Sequence, residues 1–283
     1  LKEVVRMLVE FAGCSGTGKS VLHGRVGARL RRQPIPVASP LELFCHHGLA
    51  QTIESTRCAN LVLELATYRY LRPALDEFES CWLHARQLIC SHGQSGLERW
   101  RLIRSLRRKL CVAYVSQLMA ADTLVLVDEG CVQLTHILFG RAAEWDSSEL
   151  DQFVAELPKP DLIIHVTASS QVSERRIKER GRPPLPDRCD SKRRKFIAGS
   201  HAIFQRVFEN ANLSSRRLMI DNSRTGVNAS ESIAARLSEQ VLTAFQNQDE
   251  KPVYASGSAS PPTDERRDSS QLAIGCSRFA HPA

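Results

Sequence analysis

An α/β fold, three layers deep around a parallel sheet, is predicted by three features of this sequence. Val4 to Phe11 carry β-type residues into a glycine-rich stretch, Gly13-Cys14-Ser15-Gly16-Thr17-Gly18-Lys19-Ser20, after which Leu22, Val26 and Leu30 recur at helical i, i+4 spacing. Leu124 to Val127 form an unbroken apolar run, and Leu162 to Val166 a run interrupted only by His165, as expected of strands buried on both faces. Such strands alternate with helical stretches along the chain, which places helices on both faces of the sheet through right-handed crossovers.

The elements follow in order. After the first helix, Gln33 to Pro40 hold three prolines that weaken a central strand, although Ile35 to Ala38 suit a short one. Residues 41–120 read as largely helical. Leu61, Leu65 and Tyr68 share one face early on, Trp100, Ile103, Leu106 or Arg107, Leu110, Tyr114 and Leu118 share one later, and a break is expected near Ser91 to Gly96. A segment from Cys131 to Phe139, a helix over 147–156 and a helix over 169–180 come next, with the second buried strand between the two helices. Gly181, Pro183, Pro184 and Pro186 then make a loop. A helix over 190–210 and a last strand over 217–222 lead to a closing helix with Ile233, Leu237, Val241 and Phe245 on one stripe, Asn228 as its N-cap and Glu231 as the return partner. From about residue 248 the chain turns to Ser, Pro, Gly and charged residues, so 248–283 is expected to be a disordered tail behind one domain over 1–247.

Composition bounds the function. The 283 residues hold 38 basic and 31 acidic side chains, a net charge of +7 that suits a polyanionic ligand such as a nucleotide. The nine cysteines have no C-x-x-C pair and an odd count, and are expected to be reduced and mostly buried, as in a cytoplasmic protein. Cys45-His46-His47 points its neighbours in different directions and has no second ligand pair, so no zinc site is expected. No apolar run approaches the ~18 to 20 residues of a membrane span. The apolar N-terminal segment runs into the glycine loop instead of a cleavage site, so no secretory leader is expected either.

Gly13 to Ser20 fits G-x-x-x-x-G-K-[ST], the phosphate-binding loop, with the strand before and the helix after that this motif requires. Its glycines let successive N–H groups turn inward around a phosphate, and the start of the following helix adds positive potential. Gly13, Cys14, Ser15, Gly16, Thr17, Gly18, Lys19 and Ser20 are thus the candidate ATP-phosphate contacts. Lys19 would reach the β- and γ-phosphates, and Ser20 would bind Mg²⁺. The buried run 123–127 ends in Asp128 and Glu129. Asp128 is placed to hold Mg²⁺ directly or through water, and Glu129 to orient a water or accept a proton from an attacking hydroxyl. His165 reads as a packed strand histidine, and the arginines between 99 and 109 mainly as a solvated helix face.

The succession GCSGTGKS, LVLVDEG, DLIIHVTASSQVSERRIKERGR and RLMIDNS resembles the nucleotide and nucleoside kinase branch of the P-loop nucleoside triphosphate hydrolase fold, most of all thymidylate-kinase-like proteins, over roughly residues 4–245. The resemblance implies an ATP- and Mg²⁺-dependent transfer of a phosphoryl group to a small acceptor, with residues 41–120 on the acceptor side and 181–190 as a lid. It implies that Arg176 lies near adenine and phosphates, that Arg180 and Arg182 approach the transferring group, and that Asn222 and Ser223 sit against the base. The chain departs from the thymidylate-kinase pattern in two places. It carries Asp128-Glu129-Gly130 where those kinases have Asp-Arg, and it spans 109 positions from Lys19 to Asp128. Both departures fall where the acceptor would bind, so the resemblance assigns no acceptor.

The alternative is a P-loop ATPase or a nucleotide-dependent regulatory protein, in which Glu129 would activate water. No N-K-x-D segment or L-S-G-G-Q signature is present. The basic stretch 99–109 holds Trp100 as its one aromatic and matches no recognised nucleic-acid module, so nucleic acid is not an expected partner.

Overall fold

The computed structural model describes residues 6–44, 56–91, 95–118, 122–140, 145–181, 190–211, 213, 216–224 and 226–247. The elements are β1 (Arg6–Ala12), α1 (Lys19–Leu30), β2 (Val37–Ala38), α2 (Pro40–Phe44), α3 (Thr56–Glu77), α4 (Glu79–Ser91), α5 (Gly96–Leu118), β3 (Thr123–Asp128), α6 (Gln133–Phe139), α7 (Ser147–Glu156), β4 (Leu162–Thr167), α8 (Ser170–Glu179), α9 (Asp190–Glu209), β5 (Arg216–Asp221) and α10 (Val227–Gln246). The five strands form one parallel sheet in the order β2-β3-β1-β4-β5. β1 is therefore central, flanked by β3 with Phe11 opposite Asp128 and by β4 with Phe11 opposite Ile164. The carboxyl ends of these three strands meet at one rim, where ligands of open parallel sheets bind.

Period-two alternation sorts the strand side chains into two cores. Val9, Phe11, Leu124, Leu126, Leu162, Ile164 and Ile220 pack with Leu22 and Val26 of α1 and Leu237 and Val241 of α10. On the other face, Ala12 and Ile163 join Leu88 of α4, Leu106 and Leu110 of α5, Leu138 of α6, Phe153 of α7 and Phe204 of α9. This is the three-layer α/β architecture that the apolar runs predict.

Several local expectations change. In α3, Leu61, Leu65 and Tyr68 are exposed, and the helix buries Leu63, Thr67 and Ala74 instead. In α5, Leu106 and Leu110 of the expected stripe are buried, with Leu102 beside them, while Trp100 and Leu118 at its two ends lie outside. Helical spacing identifies stripes, but neighbouring helices decide which stripe is covered. A second break separates α3 from α4 at Phe78. α10 begins at Val227 with Gly226 as its N-cap and no side-chain cap. Asn228 therefore lies inside the helix, and Glu231 pairs with Arg29 of α1 at 2.7 Å.

Cys14, Cys81, Cys111 and Cys131 are buried and Cys90 is exposed, and each of these is free. Cys45, His46, His47, Arg182, most of the expected lid and the whole expected tail lie outside the described residues. No described helix is long and apolar enough to cross a membrane.

Candidate functional site

The loop after β1 is shaped by what surrounds it. Gly13 adopts φ 146°, and a Cβ there would come within 2.2 Å of the Val166 carbonyl of β4. Gly16 adopts φ 84°, and a Cβ there would lie 2.5 Å from the Ser173 carbonyl of α8. Any side chain at either position would push the loop off the sheet end. Inside the loop Thr17 donates its hydroxyl to the Cys14 carbonyl at 2.9 Å, and Lys19 donates its amine to the same carbonyl at 3.3 Å. Gly18 caps α1 without a side-chain bond, which leaves the first N–H groups of the helix for a ligand. Burial pushes the Cys14 thiol up to about 12, Lys19 only partly opposing it, so this sulfur is no nucleophile near neutrality.

Asp128 and Glu129 stand beside this loop in different environments. Asp128 Oδ1 is buried and has no hydrogen-bond partner among the described residues. An orphaned carboxylate oxygen at the strand end, with the exposed Ser20 at the start of α1, fits the oxygen-donor set that Mg²⁺ takes. Glu129 adopts φ 66°, a strained angle for a side-chain-bearing residue, and its Oε1 lies 3.4 Å from Lys19 Nζ. Burial alone would raise the Glu129 carboxyl, but Lys19 and Lys109 outweigh it and hold the group below its ordinary value.

The loop is also tied to α6. Gln133 accepts the Gly13 N–H at 3.3 Å through its side-chain oxygen and donates to the Gly13 carbonyl at 3.2 Å. The same amide nitrogen lies 3.4 Å from His136 Nδ1, while His136 Nε2 lies 2.8 Å from the Ser200 hydroxyl of α9. Since Ser200 donates its proton to the Phe196 carbonyl, it accepts from His136 Nε2–H, which leaves Nδ1 as the acceptor for Gln133. Gln133→Ala strips Gly13 of both partners in a buried setting. It is expected to weaken nucleotide affinity by about ten- to a hundredfold, the equivalent of 1–3 kcal/mol, as a titration calorimeter would read it.

On the opposite wall, Arg176 of α8 donates to the Thr17 carbonyl at 3.1 Å and to the Arg224 carbonyl at 3.3 Å, bridging the phosphate loop and the turn after β5. Asn222 donates its amide to the Thr17 carbonyl at 2.7 Å, and its own side-chain oxygen is buried without a partner among the described residues. Ser223 faces the start of α8, accepting the Ser169 N–H at 2.9 Å and donating to Asp221 at 2.5 Å. A cavity of about 510 Å³ opens between these walls, lined by Ser15, Gly16, Gly18, Lys19 and Ser20, by Glu129, by Arg176 and Arg180, and by Asn222, Arg224 and Gly226.

The structure thus brings Ser15, Gly16, Gly18, Lys19, Ser20, Glu129, Arg176, Arg180 and Asn222 to one cavity, with Thr17 buried inside the loop. Asp128 stands at the adjoining strand end, Ser223 in the neighbouring turn and Gly13 and Cys14 beneath the loop, and Arg182 lies outside the described residues. His165 is a core residue, stacked at 4.0 Å on Phe208, with burial pushing its imidazole down to about 4.

The basic stretch 99–109 departs from the solvated-face expectation. Arg104 pairs with Glu64 at 2.6 Å, Arg107 lies over Trp82, and Lys109 is buried and donates to the Glu129 carbonyl. Gln133, His136 and Lys109 have no local sequence signal. Glu10 had one, a lone carboxylate within an otherwise buried strand. Burial raises the Glu10 carboxyl to about 7 against the lowering effects of the Val132 amide, Lys109 and the Gln133 amide. Glu10 therefore binds its proton more tightly in the folded chain than in the unfolded one. Its contribution to stability is complete below 4.5 and is lost as pH rises through about 7. The urea midpoint is expected to decline over that interval, and Glu10→Gln to remove this part of the slope.

No protein-family model and no curated protein sequence matches the chain. Among solved structures it is similar to shikimate kinase from Acinetobacter baumannii in complex with shikimate, at 9% identity over 86% of this chain and 95% of that one, with a TM-score of 0.39. It is similar to thymidylate kinase from Candida albicans at 12% identity, over 88% and 95% of the two chains, with a TM-score of 0.39. It is also similar to deoxyadenosine kinase from M. mycoides with dCMP and dCDP, at 12% identity over 82% and 98%, with a TM-score of 0.42. The parallel sheet, its strand order and the glycine loop between β1 and α1 make this chain an α/β protein of the P-loop nucleoside triphosphatase fold.

Proposed function

We propose that this protein transfers the γ-phosphoryl group of ATP, with Mg²⁺, to a small acceptor bearing a hydroxyl or a phosphate, a nucleoside or nucleotide among the candidates. The observation that supports this most is the convergence of Lys19, Glu129, Arg176 and Arg180 on one cavity beside the glycine loop. Transfer spreads charge over the phosphoryl oxygens, and a lysine and two guanidinium groups held by the fold stabilise that charge without a covalent intermediate. Ser20 and Asp128 would hold Mg²⁺, which neutralises charge on the β- and γ-phosphates.

Lys19 divides its amine between the Cys14 carbonyl and Glu129. Phosphate oxygens compete for the same amine, and Glu129 then regains basicity as its neighbouring cation turns away. Its carboxylate accepts the acceptor's proton while the acceptor oxygen bonds to the γ-phosphorus and the bond to the β-phosphate oxygen breaks, releasing ADP. The working unit is residues 1–247, with 181–190 as the lid and 41–120 supplying the acceptor side. The free cysteines suit a reducing compartment, and we place the reaction in the cytoplasm.

ADP release measured with Mg·ATP and a panel of nucleosides, nucleotides and hydroxy acids tests the reading. Turnover that depends on one acceptor and yields its phosphorylated form is the expected result. ADP release indifferent to every acceptor would assign a hydrolase instead.

A further inference from the structure

Glu10 is a carboxylate in the central strand of the sheet, 2% exposed, and the phosphotransfer scheme gives it no part. Alternation along β1 puts it on the face that carries Leu8 and Ala12, opposite the α1 side. Both of its oxygens are engaged: Oε2 accepts the Val132 N–H at 3.1 Å and Oε1 the Gln133 N–H at 3.0 Å. Val132 caps α6 without a side-chain bond, so the acceptor these amides need comes from Glu10. Gly130 is pressed against the same carboxyl, since a Cβ there would lie 2.5 Å from Glu10 Oε2.

The charged group facing Glu10 from the helical layer is Lys109 of α5, and the titratable neighbour on the turn itself is Cys131. The remaining wall is apolar, from Leu8, Val127, Pro158 and Pro160. Lys109 donates to the Glu129 carbonyl, and the Cys131 thiol lies 3.6 Å from the Lys109 carbonyl. The turn from Glu129 to Gln133 is thereby gripped at both ends. Lys109 holds its start and Glu10 its finish. Between those grips sits the strained φ of Glu129, which persists only where its surroundings fix it.

We propose that Glu10 is a positioning residue. Its ionised carboxylate, by holding the amides of Val132 and Gln133 against β1, sets where the Asp128–Glu129 pair stands relative to the phosphate loop. Protonation leaves the carboxyl one full acceptor oxygen and slackens the grip. The effect on rate rests on the phosphotransferase reading above, and the grip itself does not.

The test compares Glu10→Gln with the unaltered chain in two ways. Hydrogen exchange of amides 129–133, corrected for intrinsic pH dependence, is expected to slow in the unaltered chain as pH rises through about 7 and to be fast and flat in the variant. Acceptor-dependent kcat is expected to fall about a hundredfold with KM for ATP little changed, and to lose the limb that rises through the same pH. A purely structural cap would lower stability but leave the pH limb of kcat in place. Unchanged exchange, or a retained pH limb, overturns the proposal.

If Glu10→Gln does not fold, Gly130→Ala, whose methyl displaces the carboxyl from its donors, is read by the same criteria. Should the unaltered chain show no acceptor-dependent turnover, the phosphotransferase reading fails. Exchange then decides for Glu10: pH-dependent protection lost in the variant supports it, and pH-independent or unaltered protection overturns it.

Discussion

Lys19→Ala is expected to lower turnover by about a thousandfold or more while leaving the fold intact. The amine is the cation buried deepest in the cavity, 5% exposed, and sits where β- and γ-phosphate charge would accumulate. Losing one fixed donor to transition-state charge costs about 10²–10³ in rate, and losing a full charge at a water-poor site costs at least the upper end of that range. The fold tolerates the change because Lys19 contributes one bond to the Cys14 carbonyl, and its partner Glu129 has a side chain 47% exposed that water can solvate. Circular dichroism and the urea midpoint should therefore change little. Undiminished turnover in Lys19→Ala would place the chemistry elsewhere.

Glu129→Gln carries the second largest expected effect, a loss of about 10²–10⁴ in kcat for removal of a general base. Glutamine keeps the volume and can still meet Lys19 through its carbonyl oxygen, so nucleotide affinity should hold. The pH dependence separates this carboxylate from Glu10. Held below its ordinary value of 4.5 by Lys19 and Lys109 against burial, Glu129 contributes stability that is present above 4.5 and is lost as pH falls through its lower folded value. The acid sensitivity of stability below 4.5 should thus weaken in Glu129→Gln, while the decline between 4.5 and about 7 assigned to Glu10 should persist. A variant with wild-type kcat would restrict Glu129 to pairing with Lys19.

The parts of this molecule legible in the sequence are those set by neighbours along the chain. Glycines at 13, 16 and 18 with Lys19 and Ser20 define the loop by spacing alone, and Leu124 to Val127 announce a strand buried on both faces. The packed face of α3 was not legible, and that of α5 was legible at Leu106 and Leu110 but not at Trp100 and Leu118. Each helix carries more than one stripe of apolar or small residues, and only the packing of α3, α4 and α5 selects Leu63 and Ala74 over Leu61 and Leu65. The contacts that lock the site were hidden for a related reason. Glu10 meets Val132 across 122 positions and Gln133 meets Gly13 across 120, and no local period records such pairs. Lys109 looked like one more member of a basic helix face because its burial depends on the turn that β3 delivers to it. Arg176 and Arg180 stood out through the resemblance carried by RRIKERGR, and the structure adds that Arg176 bridges the Thr17 and Arg224 carbonyls.

The strain at Glu129 and the raised Glu10 carboxyl of β1 meet at one turn, with Lys109 beside both. Burying a carboxylate at that point costs stability above 4.5, and the fold accepts this where the turn bearing Asp128 and Glu129 must be fixed. That arrangement matters only if the cavity binds a nucleoside triphosphate. Titration calorimetry of the intact chain with Mg·ATP tests this most directly. We expect binding in the micromolar to sub-millimolar range, weakened when Mg²⁺ is withheld and abolished in Lys19→Ala. Absence of Mg·ATP binding, or binding that Lys19→Ala leaves unchanged, would contradict the account.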